Sequence, residues 1–349
     1  MRNWLVPAAL TVALGVWPGG GPAAAQPDAQ PDAAPAAART AWGHPDLQGI
    51  WDFRTLTPME RPAEHAGKAV LTAEEAALYV QELPFSNWDD RDRWDRTQAF
   101  SFDSDIEHGY NRFWLDFGTS VNADRRTSLI VDPPDGRIPW VPGTAFLPDG
   151  RLAWVEGEQR PGGYGDAFLG LDAAGPEDRP LGERCILGMN SGPPMNPSAY
   201  NNNVQLLQTS DTVVIFNEMV HDARIVPLDG RPHLPAGLRQ WMGDSRGRWE
   251  GDTLVVETTN FLRETNFEGS SARLHVVERF TRTGPEALVY EFTVADPRTW
   301  TQPWTARIPM RKTAGPIFEY ACHEGNYGLF NILTGARARE RAGRQESAP

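Results

Sequence analysis

From residue 200 onward, apolar and polar side chains alternate in short runs separated by turn residues, the period-two signature of half-buried strands. Runs at 204–208, 212–219, 223–226, 239–244, 253–258, 273–282, 287–295, 304–311 and 317–321 each predict a strand. The turns between them fall at Asp229-Gly230, Arg246-Gly247, Gly251-Asp252, Gly284-Pro285, Asp296-Pro297 and Gly315-Pro316. Nearer the start, 48–53 reads as a strand. Thr72 with Glu75 three positions on forms a capping box, opening a helix that runs to Glu82 before Pro84 stops it. The stretches 127–131 and 137–141, flanking Pro133-Pro134-Asp135-Gly136, predict a hairpin. Residues 85–110 show no clear period and read as irregular or briefly helical. Regular strand spacing with no parallel βαβ signature predicts a mainly β fold. The expected form is an antiparallel meander closed into a calycin- or lipocalin-like barrel or a sandwich, with a few short helices in the N-terminal half.

The N-terminus changes the picture of where this domain resides. A basic start at Arg2, an apolar run over 5–16 and Ala23-Ala24-Ala25 before Gln26 match a cleavable secretory signal peptide spanning 1–25. The apolar run is too short for a stable membrane anchor, and no later stretch stays apolar over about 18 residues, so no membrane insertion is expected after cleavage. Residues 26–40 are mostly Ala, Pro, Asp and Gln, a composition that buries too little apolar surface to offset the entropy of ordering it. They read as a disordered tether, and 341–349 as a disordered tail, leaving 41–340 as one mostly β domain in the periplasm or outside the cell.

The formal charge of -13 includes Arg2, the only charged residue of the leader, so cleavage makes the chain more acidic still. Such an excess disfavours nucleic acid and anionic lipid as partners and leaves a small molecule as the expected one. Cys185 and Cys322 are the only cysteines, and export would place them where a bridge persists. Two buried free thiols are the alternative.

Candidate chemistry follows from strand alternation. In the run at 212–219, Val214, Phe216 and Glu218 share a face; in that at 273–282, Leu274, Val276, Glu278 and Phe280 do the same. Each set puts a carboxylate among apolar side chains, where its pKa rises toward that of a general acid unless it is paired. The competing reading pairs each with an arginine, Arg224 or Arg279, as a structural brace. His221 beside Asp222 and Glu218 forms an acid/base candidate, and His323 next to Cys322 a second one held on a fixed backbone. Arg224 and Tyr320 are the candidates for holding developing negative charge. Trp249, with Trp241, Trp300 and Trp304, offers flat faces near turns; Asn202, within Asn201-Asn202-Asn203, offers an amide to a polar ligand.

Metal spacing such as HxH or HExxH is missing from the sequence, which leaves only a site assembled from the scattered His221, His233, His275 and His323; no metal and no cofactor are expected. Gly243-Asp244-Ser245-Arg246-Gly247 matches the form of a nucleophile elbow, but turn and strand residues follow it where a helix is required, so Ser245 reads as a turn residue.

Five segments, RTSLIVDPPDGRIP, HDARIVPLDGRPH, GDSRGRWEGDTLVVETTNF, HVVERFTR and EYACHEGNYGLFNIL, together resemble a large family of secreted bacterial proteins of uncharacterised role. The resemblance implies export and a single-domain organisation and carries no catalytic residue.

These readings converge on a cofactor-independent hydrolase or lyase, using His and carboxylate acid-base chemistry on a small polar or glycosylated substrate in a β-barrel cavity. His221 oriented by Asp222 would move the proton, His323 would be the second acid/base, and Glu218 and Glu278 would be inward carboxylates. The alternative is a non-catalytic periplasmic binder of a lipophilic or aromatic molecule, whose cavity would be lined almost wholly by apolar side chains.

Overall fold

The computed structural model describes residues 38–83, 116–144, 173–265 and 267–346. The expected signal peptide, nearly all of the tether, the segment 85–110 and the last three residues lie outside the described residues. Strands β1 (Gly49–Asp52), β2 (Ile130–Asp132), β3 (Asn203–Gln208), β4 (Thr212–Asn217) and β5 (Ala223–Pro227) are followed by β6 (Asp244–Glu250) and β7 (Thr253–Thr259). Then come β8 (His275–Gly284), β9 (Ala287–Ala295) and β10 (Trp304–Thr313). Helix α1 (Ala73–Glu82) starts on the expected capping box: Glu75 N–H donates to Thr72 Oγ1 at 3.2 Å and Thr72 N–H to Glu75 Oε2 at 2.8 Å. A second helix, α2 (Tyr327–Glu346), ends the described chain.

All ten strands belong to one antiparallel sheet in the order β5-β4-β3-β1-β10-β9-β8-β7-β6, with β2 pairing the remaining stretch of β10. The core is the concave face, where Leu288, Tyr290, Phe292 and Val294 of β9 alternate with outward Val289, Glu291 and Thr293. Phe280, Trp300 and Trp304 pack against that row with rings tilted or edge-on, and Trp51 of β1 is fully buried in the same cluster. Cross-strand pairs lock the outer face: Thr293 to Thr305 at 2.9 Å, Thr253 to Thr281 at 2.8 Å and Arg307 Nη2 to Glu291 at 2.8 Å.

The sheet curls until its two edge strands, β5 and β6, come into contact. A Cβ added to Gly247 of β6 would lie 2.5 Å from Leu228 and 2.9 Å from Val226 of β5, so only glycine permits this approach. No ladder hydrogen bonds join β5 to β6 among the described residues, and in its hydrogen bonding the sheet stays open instead of closing as a calycin-like barrel. Much of the interior is filled by the chain itself. Segment 187–195 is buried along most of its length: Met195 N–H donates to Tyr290 Oη at 2.9 Å, and Asn217 Nδ2 to Ser191 O at 2.8 Å.

Several expected elements differ. The run at 239–244 reaches a strand only at Asp244, the first residue of β6, the run at 317–321 forms none, and 137–141 does not complete a hairpin, because β2 pairs with β10 instead. Arg246-Gly247 lies inside β6, and Ser245 is its second residue, not a turn; its hydroxyl meets Thr258 Oγ1 at 2.9 Å. Helix α2 reaches Glu346, through much of the expected tail.

Candidate functional site

Glu278 points into the core, as alternation in β8 requires, and is fully buried. Arg224 of β5, from the far edge of the sheet, meets it with two parallel bonds, Nη1 to Oε2 at 2.6 Å and Nη2 to Oε1 at 2.7 Å. Tyr290 Oη donates to Oε1 at 2.8 Å, and burial together with the Glu278 charge drives the Tyr290 hydroxyl well above its ordinary pKa. Both carboxylate oxygens are therefore engaged, and Arg224 is the brace that the structural reading of the sequence allowed.

Glu218 is also buried, but by a different route. Strand β4 ends at Asn217, its inward residues are Val213, Ile215 and Asn217, and Glu218 turns away as the chain enters a short 3-10 turn at Met219–His221. The face shared by Val214, Phe216 and Glu218 is thus corrected by one residue. Glu218 accepts Asn203 Nδ2 at 2.8 Å and Phe318 N–H at 3.1 Å. The bond to Phe318 fastens the C-terminal segment to this turn.

That segment gathers most of the remaining predicted residues. Val220 and His221 both carry positive φ, 56° and 48°, an uncommon backbone for a β-branched residue, and His221 is left exposed. Its Nδ1 donates to the Tyr320 carbonyl at 3.3 Å, while the Tyr320 ring stacks on Tyr200 with centroids 6.3 Å apart. Asp222 bends away from the imidazole to accept Gly188 N–H at 3.0 Å, and desolvation raises its pKa. The Cys185–Cys322 disulfide is formed, with Cα atoms 5.7 Å apart, and leaves His323 exposed beside it. Asn202 is buried in a polar knot, its Oδ1 taking Ser198 N–H at 2.8 Å and its Nδ2 donating to Ser198 O at 2.8 Å. Trp249 lies on the other edge strand, its ring stacked on His44 at 4.7 Å.

A cavity lies elsewhere, where β5 and β6 diverge beyond their contact at Gly247. It is a cleft of about 600 Å³ lined by both strands, by Ile186 and Leu262, and by segment 239–243. That segment is held as a rim: Gln240 N–H donates to Asn260 O at 3.0 Å and Thr265 Oγ1 to Trp241 O at 2.6 Å. Asp244, first residue of β6, lines the cleft, is buried, and is bracketed by positive or donor groups. Arg246 Nη1 donates to its Oδ1 at 2.6 Å, while Leu234 N–H and His233 Nδ1 both reach Oδ2 at 2.9 Å. With the carboxylate accepting, Nδ1 is the donor in this bond, and Nε2 is the ring nitrogen left for proton transfer.

Sequence reading named His233 among the scattered metal candidates and at the end of the ionisable stretch that opens at Glu218, and did not single out Asp244 or Arg246 as functional. The available signal was a His ahead of a strand that opens on Asp, with Gly243 at φ +67° just before it. No group of His, Cys, Asp or Glu suited to a metal ion occurs among the described residues, so the assembled site from His221, His233, His275 and His323 is not formed there. No helix among the described residues is long and apolar enough to cross a membrane. No known family, curated protein or solved structure matches the chain.

Proposed function

We propose that this chain is an exported hydrolase or lyase acting on a small polar substrate in the cleft between β5 and β6, with Asp244 on the cleft wall and His233, its hydrogen-bond partner outside the lining, as the acid/base. The observation that carries this reading is the hydrogen bond of His233 Nδ1 to a buried carboxylate that itself lines the cleft. An imidazole oriented by a hydrogen bond to such a carboxylate is the arrangement that general acid-base steps use. Arg246, bonded to the same carboxylate, holds it in place at the cleft wall. Export is supported by the disulfide and by the signal-like leader.

The site proposed from sequence moves as a result. Glu218 and Glu278 serve as braces, His221 lies exposed in the turn between β4 and β5, and His323 lies exposed on the C-terminal segment. The binding-protein reading retains one supporting observation, the apolar share of the lining from Ile186, Ile225, Met242 and Leu262.

The test is a turnover screen of the full chain with chromogenic esters and glycosides, followed by His233→Ala and Asp244→Asn. Acid-base catalysis predicts a loss of about 10²–10⁴-fold for His233→Ala. A screen without turnover would leave the binding protein as the reading, and turnover indifferent to His233 would overturn His233 as the acid/base.

A further inference from the structure

The cleft carries three guanidinium groups, and they are not equivalent. Arg224 is neutralised by Glu278 in a bidentate pair, and Arg246 by Asp244. Arg239 is different. Its Nη1 donates to the carbonyls of Phe261 at 2.8 Å and Ala272 at 2.7 Å, and among the described residues it forms no ion pair. Two neutral acceptors fix the guanidinium without cancelling its charge, and the side chain is exposed at the cleft wall. In a chain with a formal charge of -13, a cation held in place without a carboxylate is a local exception to the overall field. The remaining donors of a planar fork suit a carboxylate in geometry as well as charge.

The rest of the cleft restricts what that carboxylate is attached to. Trp241, Ile225 and Leu262 give it one aromatic and two branched apolar surfaces, and Ile225 is 69% exposed on an edge strand, where a large apolar side chain gains from being covered. A volume of about 600 Å³ admits a ligand of small-molecule size.

We propose that the cleft between β5 and β6 binds a small organic acid, its carboxylate on Arg239 and its apolar or aromatic body against Trp241, Ile225 and Leu262. This deepens the enzyme reading of the same cleft by naming its ligand class, yet it is tested by binding alone.

The experiment titrates the full chain with sodium benzoate, with its uncharged isostere benzamide and with inorganic phosphate, by calorimetry. Benzoate is expected to bind at least tenfold more tightly than benzamide or phosphate. Arg239→Gln should reduce benzoate to the level of benzamide and leave benzamide unchanged, while Arg239→Lys keeps part of the preference. Equal binding of benzoate and benzamide, benzoate affinity indifferent to Arg239→Gln, phosphate bound as tightly as benzoate, or no binding of benzoate each overturns the proposal. Since the benzoate-to-benzamide ratio is read on the unaltered chain, it decides even where Arg239→Gln folds poorly. Benzoate binding without His233-dependent turnover removes only the enzyme reading, and His233-dependent turnover with no benzoate preference removes only the organic acid.

Discussion

Glu278 shows how much one buried carboxylate commits the residues around it. Its charge sits in the core only because Arg224 and Tyr290 reach it from other strands, and an ion pair of this kind is expensive to break and adds little net stability when whole. Glu278→Ala strands a guanidinium whose side chain is only 3% exposed and is expected to cost about 3–5 kcal/mol in urea unfolding. Replacing both partners, Arg224→Met with Glu278→Leu, should restore much of that loss. If the double variant proves no better than the single one, the pair contributes net stability and the desolvation argument is wrong here. Alternation in β8 made Glu278 legible as an inward acid, and pairing with an arginine was already the competing expectation. Glu218 was legible as buried for the wrong reason, since the pattern could not reveal that β4 stops at Asn217, two residues short of the expected run, and hands Glu218 to a turn. His233, Asp244 and Arg246 escaped because their grouping depends on how the segment before β6 folds back over it, which no local period encodes.

At the scale of the element, the seam between β5 and β6 sets where a ligand can enter. The close approach at Gly247 pinches the edges together on one side of the cleft, and the divergence beyond it leaves the opening. Gly247→Val would place its side chain against Val226 and Leu228. Overpacking of this kind is expected to lower stability by about 1–3 kcal/mol, read as a fall in Tm. An unchanged Tm would mean that the two edges part without cost and that the seam is soft. Glycine here was read as a turn residue because punctuation and close backbone approach look alike in sequence. Most other strands were legible to within two residues, since their inward positions are almost uniformly apolar. The long helix α2 was not: Gly335 and Gly343 interrupt it, and its arginine-rich second half shows no apolar stripe from which helical period can be read.

At the scale of the whole molecule, the C-terminal segment after β10 is joined back to the body by contacts of different kinds. Phe318 N–H donates to Glu218, Tyr320 stacks on Tyr200, and Asn326 Nδ2 donates to Glu183 O at 2.7 Å, but the covalent link is Cys185–Cys322. The bridge spans a sequence separation of 137, and closing so long a loop in the unfolded chain lowers its entropy more than any of the noncovalent contacts can compensate. The pairing was legible because a chain with two cysteines and an expected export leader has one pairing to make; the segment it fastens was not, since 317–321 reads as a strand yet forms none. Cys185→Ser with Cys322→Ser is therefore expected to lower stability by about 2–4 kcal/mol in urea unfolding and to speed hydrogen exchange at the amides of Phe318 and Asn326. The cleft between β5 and β6 shares only Ile186 with the region around the bridge, so benzoate affinity should change little in the same double variant. A collapse of that affinity would show instead that the bridge holds Ile186 and the wall of the cleft in place, joining the two regions into one functional unit.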